Sequence, residues 1–276
     1  MSIRTKVACI LFSLAAAAFV TLPAPAQVSS AAKAQLGSRT AREGFINETQ
    51  IRDKFNSWRE DADARAWLTK MGYRPSEIES VTAIKPHNDK SDVVVTITSG
   101  GKTFREGISI KLVSGENGFN QIDKRWISHY RRMWSMPPPV ESALSLFVGE
   151  RPPDRPSRRP ERMFLSELSN EEKRAVIDFF ETNRSRILRD IFAGDGPNRA
   201  NWLLIAKRSA AGRESAIFQI EKAIEFFGTG KIEITRAGNL RIGRITVQRK
   251  GGDAGRETAR MLQFKINPME MLRKAN

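Results

Sequence analysis

Asp92, Ser109 and Lys111 are the residues of this chain whose types and spacing best suit a chemical reaction. A carboxylate and a hydroxyl can both offer oxygen ligands to a hard cation such as Mg²⁺. A lysine beside that cation can orient a water molecule and stabilise the negative charge that builds up on a phosphorus atom. The three side chains would suit hydrolysis of a phosphodiester, provided that the fold brings them to one place.

A β-hairpin would bring them together. Gly100-Gly101 separates two runs rich in β-branched residues, 91–98 and 102–112, and a Gly-Gly pair is typical of a two-residue hairpin turn. This turn puts Asp92 opposite Ser109, with the lysine on the same side. A slip of one residue would send the aspartate and the lysine to opposite sides. The other side of the predicted hairpin is apolar and carries Val93, Val95, Ile97, Phe104, Ile108 and Ile110.

The composition points to a polyanionic partner. Of 276 residues, 46 are lysine or arginine and 31 are aspartate or glutamate, which gives a formal net charge of +15. Such an excess favours nucleic acid or an anionic membrane surface as the partner. With the single cysteine Cys9, the chain has neither an internal disulfide nor a cysteine-rich zinc site, and His129 has no second histidine near it. Metal chemistry here would therefore use oxygen ligands, which suits Mg²⁺.

Residues 1–30 have the composition of a secretory signal peptide. Two basic residues precede an apolar run over residues 7–22, and Ala24-Pro25-Ala26 fits the pattern of a cleavage site. The alternative is a translation start assigned too far upstream, with the true start near Val28. We favour this second interpretation, which predicts a cytoplasmic protein, whereas a functional leader would export it.

The remaining residues, 31–276, are predicted to form one mixed α/β domain. Helices are predicted over residues 45–58, 61–71, 120–136, 217–227 and, from a capping box at Ser169 and Glu172, to about Phe192. Besides the hairpin, strands are predicted near residues 202–206, 231–235, 240–248 and 261–266. Prolines 137–139 should end the third helix, and the basic, proline-rich residues 151–162 should form a loop that is either a linker or a DNA contact.

Several strings of this sequence resemble the HinP-type restriction endonucleases, members of the PD-(D/E)xK nucleases that cut the palindrome GCGC. The aspartate of Lys90-Ser91-Asp92, followed by x-Lys on the neighbouring strand, is the active-site layout of that superfamily. The other strings lie in the same order at residues 36–48, 111–114, 118–124 and 247–266. The resemblance runs from about Leu36 to the C-terminus.

The resemblance implies a restriction-endonuclease-like core, in which a central mixed sheet is flanked by helices. It implies Mg²⁺-dependent cleavage of double-stranded DNA at a short palindrome, with Asp92 and Lys111 catalytic. We also place Ser109 among the catalytic residues and, with Asp92, among the metal ligands, because its hydroxyl can hold a metal or its water. The catalytic hairpin and helix would occupy about 80–136, and a DNA-contacting part about 195–276. Either a symmetric homodimer or a monomer that nicks each strand in turn could cut a palindrome. A cognate DNA methyltransferase is expected in the same system.

Ser109 departs from the family, which has a glutamine at this position. A hydroxyl is a shorter and poorer metal ligand, so the departure affects the expected metal affinity but not the expected fold. A catalytically weakened DNA-binding protein is therefore one alternative function. An exported nuclease of low specificity, favoured by the leader, is another. Glu48 on the first predicted helix could reach the outer shell of the metal, or it could be an ordinary surface carboxylate.

The first candidate DNA contacts lie at the start of the predicted helix 120–136. Asn120, Gln121 and Lys124 carry hydrogen-bonding groups that suit the edges of bases. Phe119 could wedge between bases or pack in the core. The family resemblance favours recognition for this segment.

A second candidate contact is the glycine-rich stretch after residue 247. Its glycines would let the backbone approach a phosphate, while Arg249, Lys250 and Arg256 supply positive charge. Gln248 and Lys250 also have the residue-x-Lys spacing of Ser109 and Lys111, so they form a rival candidate active site. This rival site lacks an evident carboxylate across a hairpin, and we place it second.

Overall fold

The computed structural model describes residues 30–275 apart from 88, 114, 116–117, 210–211 and 253–255. Nearly all of the predicted leader lies outside these described residues. Within them, no helix combines the length and the apolarity that a bilayer span requires.

The secondary structure alternates between helices and strands, as expected for a mixed α/β protein. The helices are α1 (Ser30–Asn56), α2 (Ala62–Lys70), α3 (Ile127–Trp134), α4 (Pro138–Val148), α5 (Asn170–Thr182), α6 (Arg184–Phe192), α7 (Ile220–Gly228) and α8 (Met269–Ala275). The strands are β1 (Ile78–Ile84), β2 (Val93–Ser99), β3 (Lys102–Val113), β4 (Asn120–Arg125), β5 (Trp202–Ser209), β6 (Gly212–Gln219), β7 (Ile232–Ile234), β8 (Leu240–Ile242), β9 (Ile245–Arg249) and β10 (Leu262–Ile266).

The strands form two sheets. The first sheet has the order β1-β2-β3-β5-β6, in which only the β3–β5 pairing is parallel. The second sheet has the order β4-β10-β9-β8-β7 and is antiparallel at each pairing. The prediction of a mixed central sheet with flanking helices is confirmed.

Two hydrophobic clusters hold these layers together. On one face of the first sheet, α1 and α2 bury Phe55 and Trp67 against hairpin residues such as Ile108. On the other face, helices α3 to α7 share a larger cluster with both sheets, to which Leu203 contributes from the first sheet and Phe264 from the second. Burying a side chain of this size stabilises the fold by about 1.5–3 kcal/mol.

Local interactions fix the ends of several helices. Asp61 caps α2 by accepting a hydrogen bond from the backbone nitrogen of Ala64 at 2.9 Å. Gly72 follows that helix with a φ of 99°, a conformation that favours glycine. Ser169 and Glu172 form the predicted capping box at the start of α5. The predicted long helix is nevertheless broken into α5 and α6 at Asn183.

The hairpin has the predicted turn and register. Gly100 and Gly101 both have positive φ angles, 58° and 71°, as a two-residue hairpin turn of this kind requires. Ser99 faces Lys102, and the pairing continues without a shift to the start of β2. Phe104 faces Ile97 and so lies on the predicted apolar side, but unlike the other apolar residues there it is 39% exposed. Its ring packs edge-on against Tyr73, near the turn and away from the buried part of the hairpin.

The predicted helix over residues 120–136 is wrong in its first half. Residues 120–125 form strand β4, which pairs with β10 from the far end of the chain, and the helix α3 begins only at Ile127. A pairing over such a separation overrides the local helical spacing of the apolar residues. The prolines that follow do not only end α3. Pro137 caps α4 and Pro138 is its first residue, a position that proline favours.

The C-terminal half also differs from the prediction in two places. Residues 212–219 form the edge strand β6, so the helix predicted from 217 begins at Ile220. The run predicted as one strand over 240–248 is two strands, since the chain turns at Gly243, whose φ is 54°. A Cβ atom at position 243 would lie 2.5 Å from the carbonyl oxygen of Thr229, so the close approach of these two segments requires glycine here.

Candidate active site and nucleic-acid interface

The structure brings Asp92, Ser109 and Lys111 together as the hairpin predicts. The backbone nitrogen of Asp92 donates to the carbonyl oxygen of Ile108 at 2.9 Å, which extends the strand ladder to the aspartate. Its carboxylate oxygen Oδ2 accepts a hydrogen bond from the backbone nitrogen of Ile110 at 2.6 Å and lies 3.4 Å from the Ser109 hydroxyl. The Lys111 ammonium lies 3.2 Å from the same hydroxyl. Two adjacent strands therefore fix all three groups.

The oxygen atoms at this position fit a small, hard cation. Asp92 offers a carboxylate, Ser109 a hydroxyl, and Ile110 a carbonyl oxygen that accepts from the Lys111 ammonium at 3.1 Å. In the part of the chain that the structure describes, no group of three or more His, Cys, Asp or Glu side chains could hold a metal. Such a site would complete its shell with water molecules. Mg²⁺ tolerates this well, because it usually keeps several waters and one or two carboxylates.

Glu48 lies within electrostatic reach of this centre. Its carboxylate pairs with the Lys85 ammonium at 2.9 Å, and both side chains are largely buried. Burial raises the pKa of Glu48, and the negative charge of Asp92 raises it further, while Lys85 and Lys111 oppose the shift. Glu48 and Asp92 also line the same open cavity of about 660 Å³. Glu48 therefore faces the same cavity as Asp92, with its carboxylate already bound to a lysine.

A buried ion-pair network behind the site was not predicted from the sequence. The Lys90 ammonium donates to the carbonyl oxygen of Ile122 at 2.7 Å and to the Asp123 carboxylate at 3.1 Å. The same carboxylate accepts from the Tyr130 hydroxyl at 2.6 Å and from Arg125 at 3.1 Å. Burial lowers the pKa of Lys90 and raises the pKa of Tyr130 well above its usual value. The network ties the segment before β2 to strand β4.

The first group of predicted DNA contacts lies on and before β4, not on a helix. Phe119 is 52% exposed, which excludes the core packing considered for it. Asn120 and Gln121 are half-buried and Lys124 is exposed. Gln121 faces Lys265 of β10 across the sheet.

The neighbouring strands extend this surface with polar side chains. Gln263 of β10 faces both Lys124 of β4 and Gln248 of β9, and its amide donates to the Gln121 amide oxygen at 2.8 Å. Lys265 is two residues further along β10, and burial lowers the pKa of its ammonium. We call Gln121, Lys124, Gln248, Gln263 and Lys265 the polar sheet face, because the strand pairing puts them on one side of the second sheet, where Gln263 itself is only 8% exposed. Gln263 and Lys265 were missed, although residues 262–266 alternate apolar and polar residues as a half-exposed strand does.

Among the second group of predicted contacts, Lys250 and Arg256 join the polar sheet face. Burial lowers the pKa of Lys250, and the positive charges of Lys124 and Arg256 lower it further, so these three cations lie close together. Arg249 is not part of that group. It alternates with Gln248 along β9, and its guanidinium reaches Glu161 at 3.7 Å. The residue facing Gln248 on β10 is a glutamine, so the rival site has no carboxylate across its hairpin.

A mixed sheet that carries Asp92 before one strand and Ser109-x-Lys111 on the next, with helices on both faces, defines a restriction-endonuclease-like fold. The family of R.HinP1I restriction endonucleases matches residues 71–272, and the chain belongs to this family. It is therefore a type II restriction endonuclease. No curated protein sequence matches the chain.

A solved structure supports the same fold. The restriction endonuclease MspI in complex with its cognate DNA superposes with a TM-score of 0.54. The match covers 86% of this chain and 90% of that chain, at 12% sequence identity. At this identity, the likeness concerns the fold alone.

Proposed function

We propose that this endonuclease uses Mg²⁺ to hydrolyse both strands of double-stranded DNA at a short palindrome, GCGC. The observation that carries the proposal is the meeting of Asp92, Ser109 and Lys111 on adjacent strands, beside a polar sheet face. The recognition sequence is supported by the resemblance to HinP-type enzymes. Double-stranded DNA as partner is supported by the fold shared with an endonuclease that was solved with its cognate DNA.

The residues divide the chemistry between them. The Asp92 carboxylate, the Ser109 hydroxyl and the Ile110 carbonyl oxygen would hold Mg²⁺. When bound, Mg²⁺ polarises the scissile phosphate and makes a bound water more acidic. Lys111 would orient the attacking water and stabilise the charge that develops on the phosphate oxygens. Glu48, held by Lys85, would accept hydrogen bonds from water in the outer shell of the metal.

DNA recognition is assigned to the polar sheet face and the residues beside it. In GCGC, lysine suits the O6 and N7 atoms of guanine, and the amide oxygen of glutamine or asparagine can accept from the N4 amino group of cytosine. Gln121, Lys124 and Lys265 would therefore contact base edges, with Asn120 beside them. The exposed ring of Phe119 is suited to wedge between bases. Lys250, Arg256 and Arg249 would contact backbone phosphates.

The wider setting follows from cutting a palindrome. A homodimer matches the two-fold symmetry of such a site. In this proposal one domain, 31–276, holds the catalytic part at about 80–136 and a DNA-contacting part at about 195–276. A cytoplasmic enzyme would endanger its own genome, so we expect a cognate DNA methyltransferase as its functional partner.

Plasmid digestion tests the proposal. The chain from Val28 onward would be incubated with plasmid DNA in Mg²⁺ and in EDTA, beside a Lys111→Ala variant. Lys102→Ala is the matched control, because Lys102 begins the same strand but is exposed at the turn. We expect discrete fragments in Mg²⁺ from the unaltered protein and from Lys102→Ala. We expect none in EDTA or from Lys111→Ala.

The other outcomes separate the alternatives. Fragments that persist on GCGC-methylated plasmid would contradict the recognition sequence. A smear without discrete fragments would favour a low-specificity nuclease, and mass spectrometry of the native N-terminus would then test export. Intact DNA with retained, salt-dependent binding would favour a DNA-binding protein whose metal site is weakened by Ser109.

A further inference from the structure

The loop over residues 151–162 carries more positive than negative charge, with five arginines against Asp154 and Glu161. It is a folded part of the molecule and not a linker. Ser157 donates to the carbonyl oxygen of Arg162 at 2.7 Å, and the backbone nitrogen of Arg158 donates to Glu167 at 2.7 Å. The arginines therefore have fixed positions.

Three of these arginines have carboxylate partners. Arg151 pairs with Asp154 at 3.3 Å, Arg155 pairs with Asp154 at 3.1 Å, and Arg158 pairs with Glu167 at 3.3 Å. Arg159 and Arg162 differ, since neither has an ion-pair partner among the described residues. The acid beside them in the sequence, Glu161, reaches instead to Arg249 of β9.

Arg162 is half-buried, whereas the other four arginines of the loop are exposed. Its guanidinium lies 4.0 Å from the ring centre of Phe164 and 5.8 Å from that of Phe147. Burial lowers the pKa of Arg162, and the positive charge of Arg249 lowers it further. A half-buried guanidinium is normally paired with an anion, since desolvation penalises the charged form. The Arg162 guanidinium donates to the carbonyl oxygen of Phe147 at 3.5 Å, and the charge of Glu161 partly opposes the lowering of its pKa, but no carboxylate of the described residues forms an ion pair with it.

Arg249 approaches the same position from the second sheet. Its contact with Glu161 is loose, at 3.7 Å, and its Nε atom is buried without a hydrogen-bond acceptor. Among the three guanidiniums of Arg159, Arg162 and Arg249, Glu161 contacts that of Arg249, and the charges of Glu161, Arg249 and Arg159 all act on Arg162. An incoming anion with several oxygens could replace Glu161 and satisfy more of their donors.

We propose that Arg159, Arg162 and Arg249 form a binding site for a phosphate group of the DNA backbone, separate from the catalytic centre. The inference rests on the DNA-cleaving function proposed above. Guanidiniums bind phosphate oxygens through two parallel hydrogen bonds, and stacking on Phe164 orients one of them before DNA arrives. Arg249 directly precedes Lys250 in the chain, but its side chain lies on the other side of β9, so the site is distinct from the cationic group of Lys250, Lys124 and Arg256.

The salt dependence of DNA binding tests this site. A short duplex that contains GCGC would be titrated in EDTA, which prevents cleavage, at KCl concentrations between about 50 and 300 mM. Each phosphate contact contributes about 0.9 to the slope of log K against log[KCl]. Arg159→Gln and Arg162→Gln should each reduce the slope by about that amount. Glu161→Gln should tighten binding, because it removes the competing carboxylate.

Arg74→Gln is the control. Arg74 is an exposed arginine before β1 that pairs with Glu77 at 2.8 Å, near the hairpin turn and outside both proposed DNA-contacting groups, and its removal should leave the slope unchanged. Thermal unfolding would show that Arg162→Gln is folded, and Arg159 needs no such check because its side chain is exposed.

The salt dependence of binding and the cleavage of plasmid together distinguish failure of the phosphate site from failure of the proposed endonuclease function. Unchanged slopes in both arginine variants, or weaker binding by Glu161→Gln, would overturn the phosphate site. If the unaltered protein still cuts plasmid in Mg²⁺, the endonuclease function stands without it. Reduced slopes in a protein that does not cut would support the phosphate site and contradict the endonuclease function.

Discussion

The ammonium of Lys90 lies 3.1 Å from the carboxylate of Asp123, and this buried ion pair joins the catalytic sheet to the sheet that carries the proposed base contacts. The two side chains are only 13% and 7% exposed. Lys90 lies two residues before Asp92, and Asp123 lies between Gln121 and Lys124 on β4. The position of Asp92, the proposed catalytic aspartate, is thus tied to the position of the strand proposed to contact bases.

Removing one partner of this pair should destabilise the fold. Lys90→Met leaves Asp123 buried with less compensation, and breaking a buried pair in this way lowers the free energy of unfolding by about 3 kcal/mol. Urea denaturation followed by circular dichroism would measure the loss. Lys102→Met, at an exposed lysine of the same hairpin, is the control and should change stability by less than about 0.5 kcal/mol. Equal stability of the two variants would mean that the ion pair adds nothing.

Both tyrosines of the chain should resist ionisation while the protein is folded. Tyr130 donates to Asp123 and Tyr73 donates to Glu106, and burial together with these carboxylates raises both pKa values. In the unfolded chain both groups ionise near pH 10. The unfolded state therefore loses protons that the folded state keeps, and the free energy of unfolding falls as the pH rises beyond about 10.

Absorbance at a tyrosinate wavelength, recorded together with circular dichroism, would test this. Tyrosinate should appear only in step with unfolding. A reversible ionisation near pH 10 with the fold intact would contradict the packing of at least one of the two hydroxyls. Tyr73→Phe would then identify which tyrosine is responsible.

The catalytic hairpin could be predicted from the sequence because its determinants are local. Gly100 and Gly101 set the turn, the turn sets the register, and the register puts Asp92 opposite Ser109. The adjoining apolar residues confirm that register, with Phe104 as the exception near the turn.

Strand β4 and its surroundings could not be predicted in the same way. Ile122, Trp126 and Tyr130 recur at helical spacing, yet Ile122 belongs to a strand because β10 pairs with it from the far end of the chain. The Lys90–Asp123 pair and the polar sheet face depend on this pairing. No spacing within residues 118–136 encodes it.

Gly107 should be intolerant of any side chain. A Cβ atom there would lie 2.0 Å from the carbonyl oxygen of Arg199 and 2.2 Å from the Ser91 hydroxyl. Gly107→Ala should therefore lower the free energy of unfolding by about 1–3 kcal/mol, since the backbone at Arg199 must move. Cleavage should fall as well, because Ser91 adjoins the catalytic aspartate. Gly44→Ala is the control, because Gly44 lies in α1 with open space around it and alanine favours a helix by about 0.5–1 kcal/mol. A Gly107→Ala variant as stable as the unaltered protein would contradict this close approach.

Lys265→Met should separate DNA binding from stability. Lys265 is half-buried, burial lowers its pKa, and no carboxylate pairs with it among the described residues. Methionine should therefore leave the free energy of unfolding unchanged or raise it slightly. Affinity for a GCGC duplex should fall by about tenfold or more, as expected for a lost base contact worth 1–3 kcal/mol. Lys231→Met, at an exposed lysine before β7, is the matched control for binding. A destabilised Lys265→Met protein with normal affinity would assign this lysine a structural role.

Ser109→Gln should lower the Mg²⁺ concentration needed for cleavage. The Ser109 hydroxyl lies 3.4 Å from the Asp92 carboxylate, and its short side chain gives it little reach toward a shared cation. The amide oxygen of glutamine, the residue expected here from the resemblance to HinP-type endonucleases, would extend further and donate more electron density to the metal. We expect the half-maximal Mg²⁺ concentration to fall by about tenfold, the lower end of what changes around a metal site produce. Ser109→Ala should raise it, and a Mg²⁺ titration of plasmid cleavage would measure both. If Ser109→Gln needs more Mg²⁺ than the unaltered protein while Ser109→Ala needs the same, Ser109 is not a metal ligand and the cation relies on Asp92 and the Ile110 carbonyl.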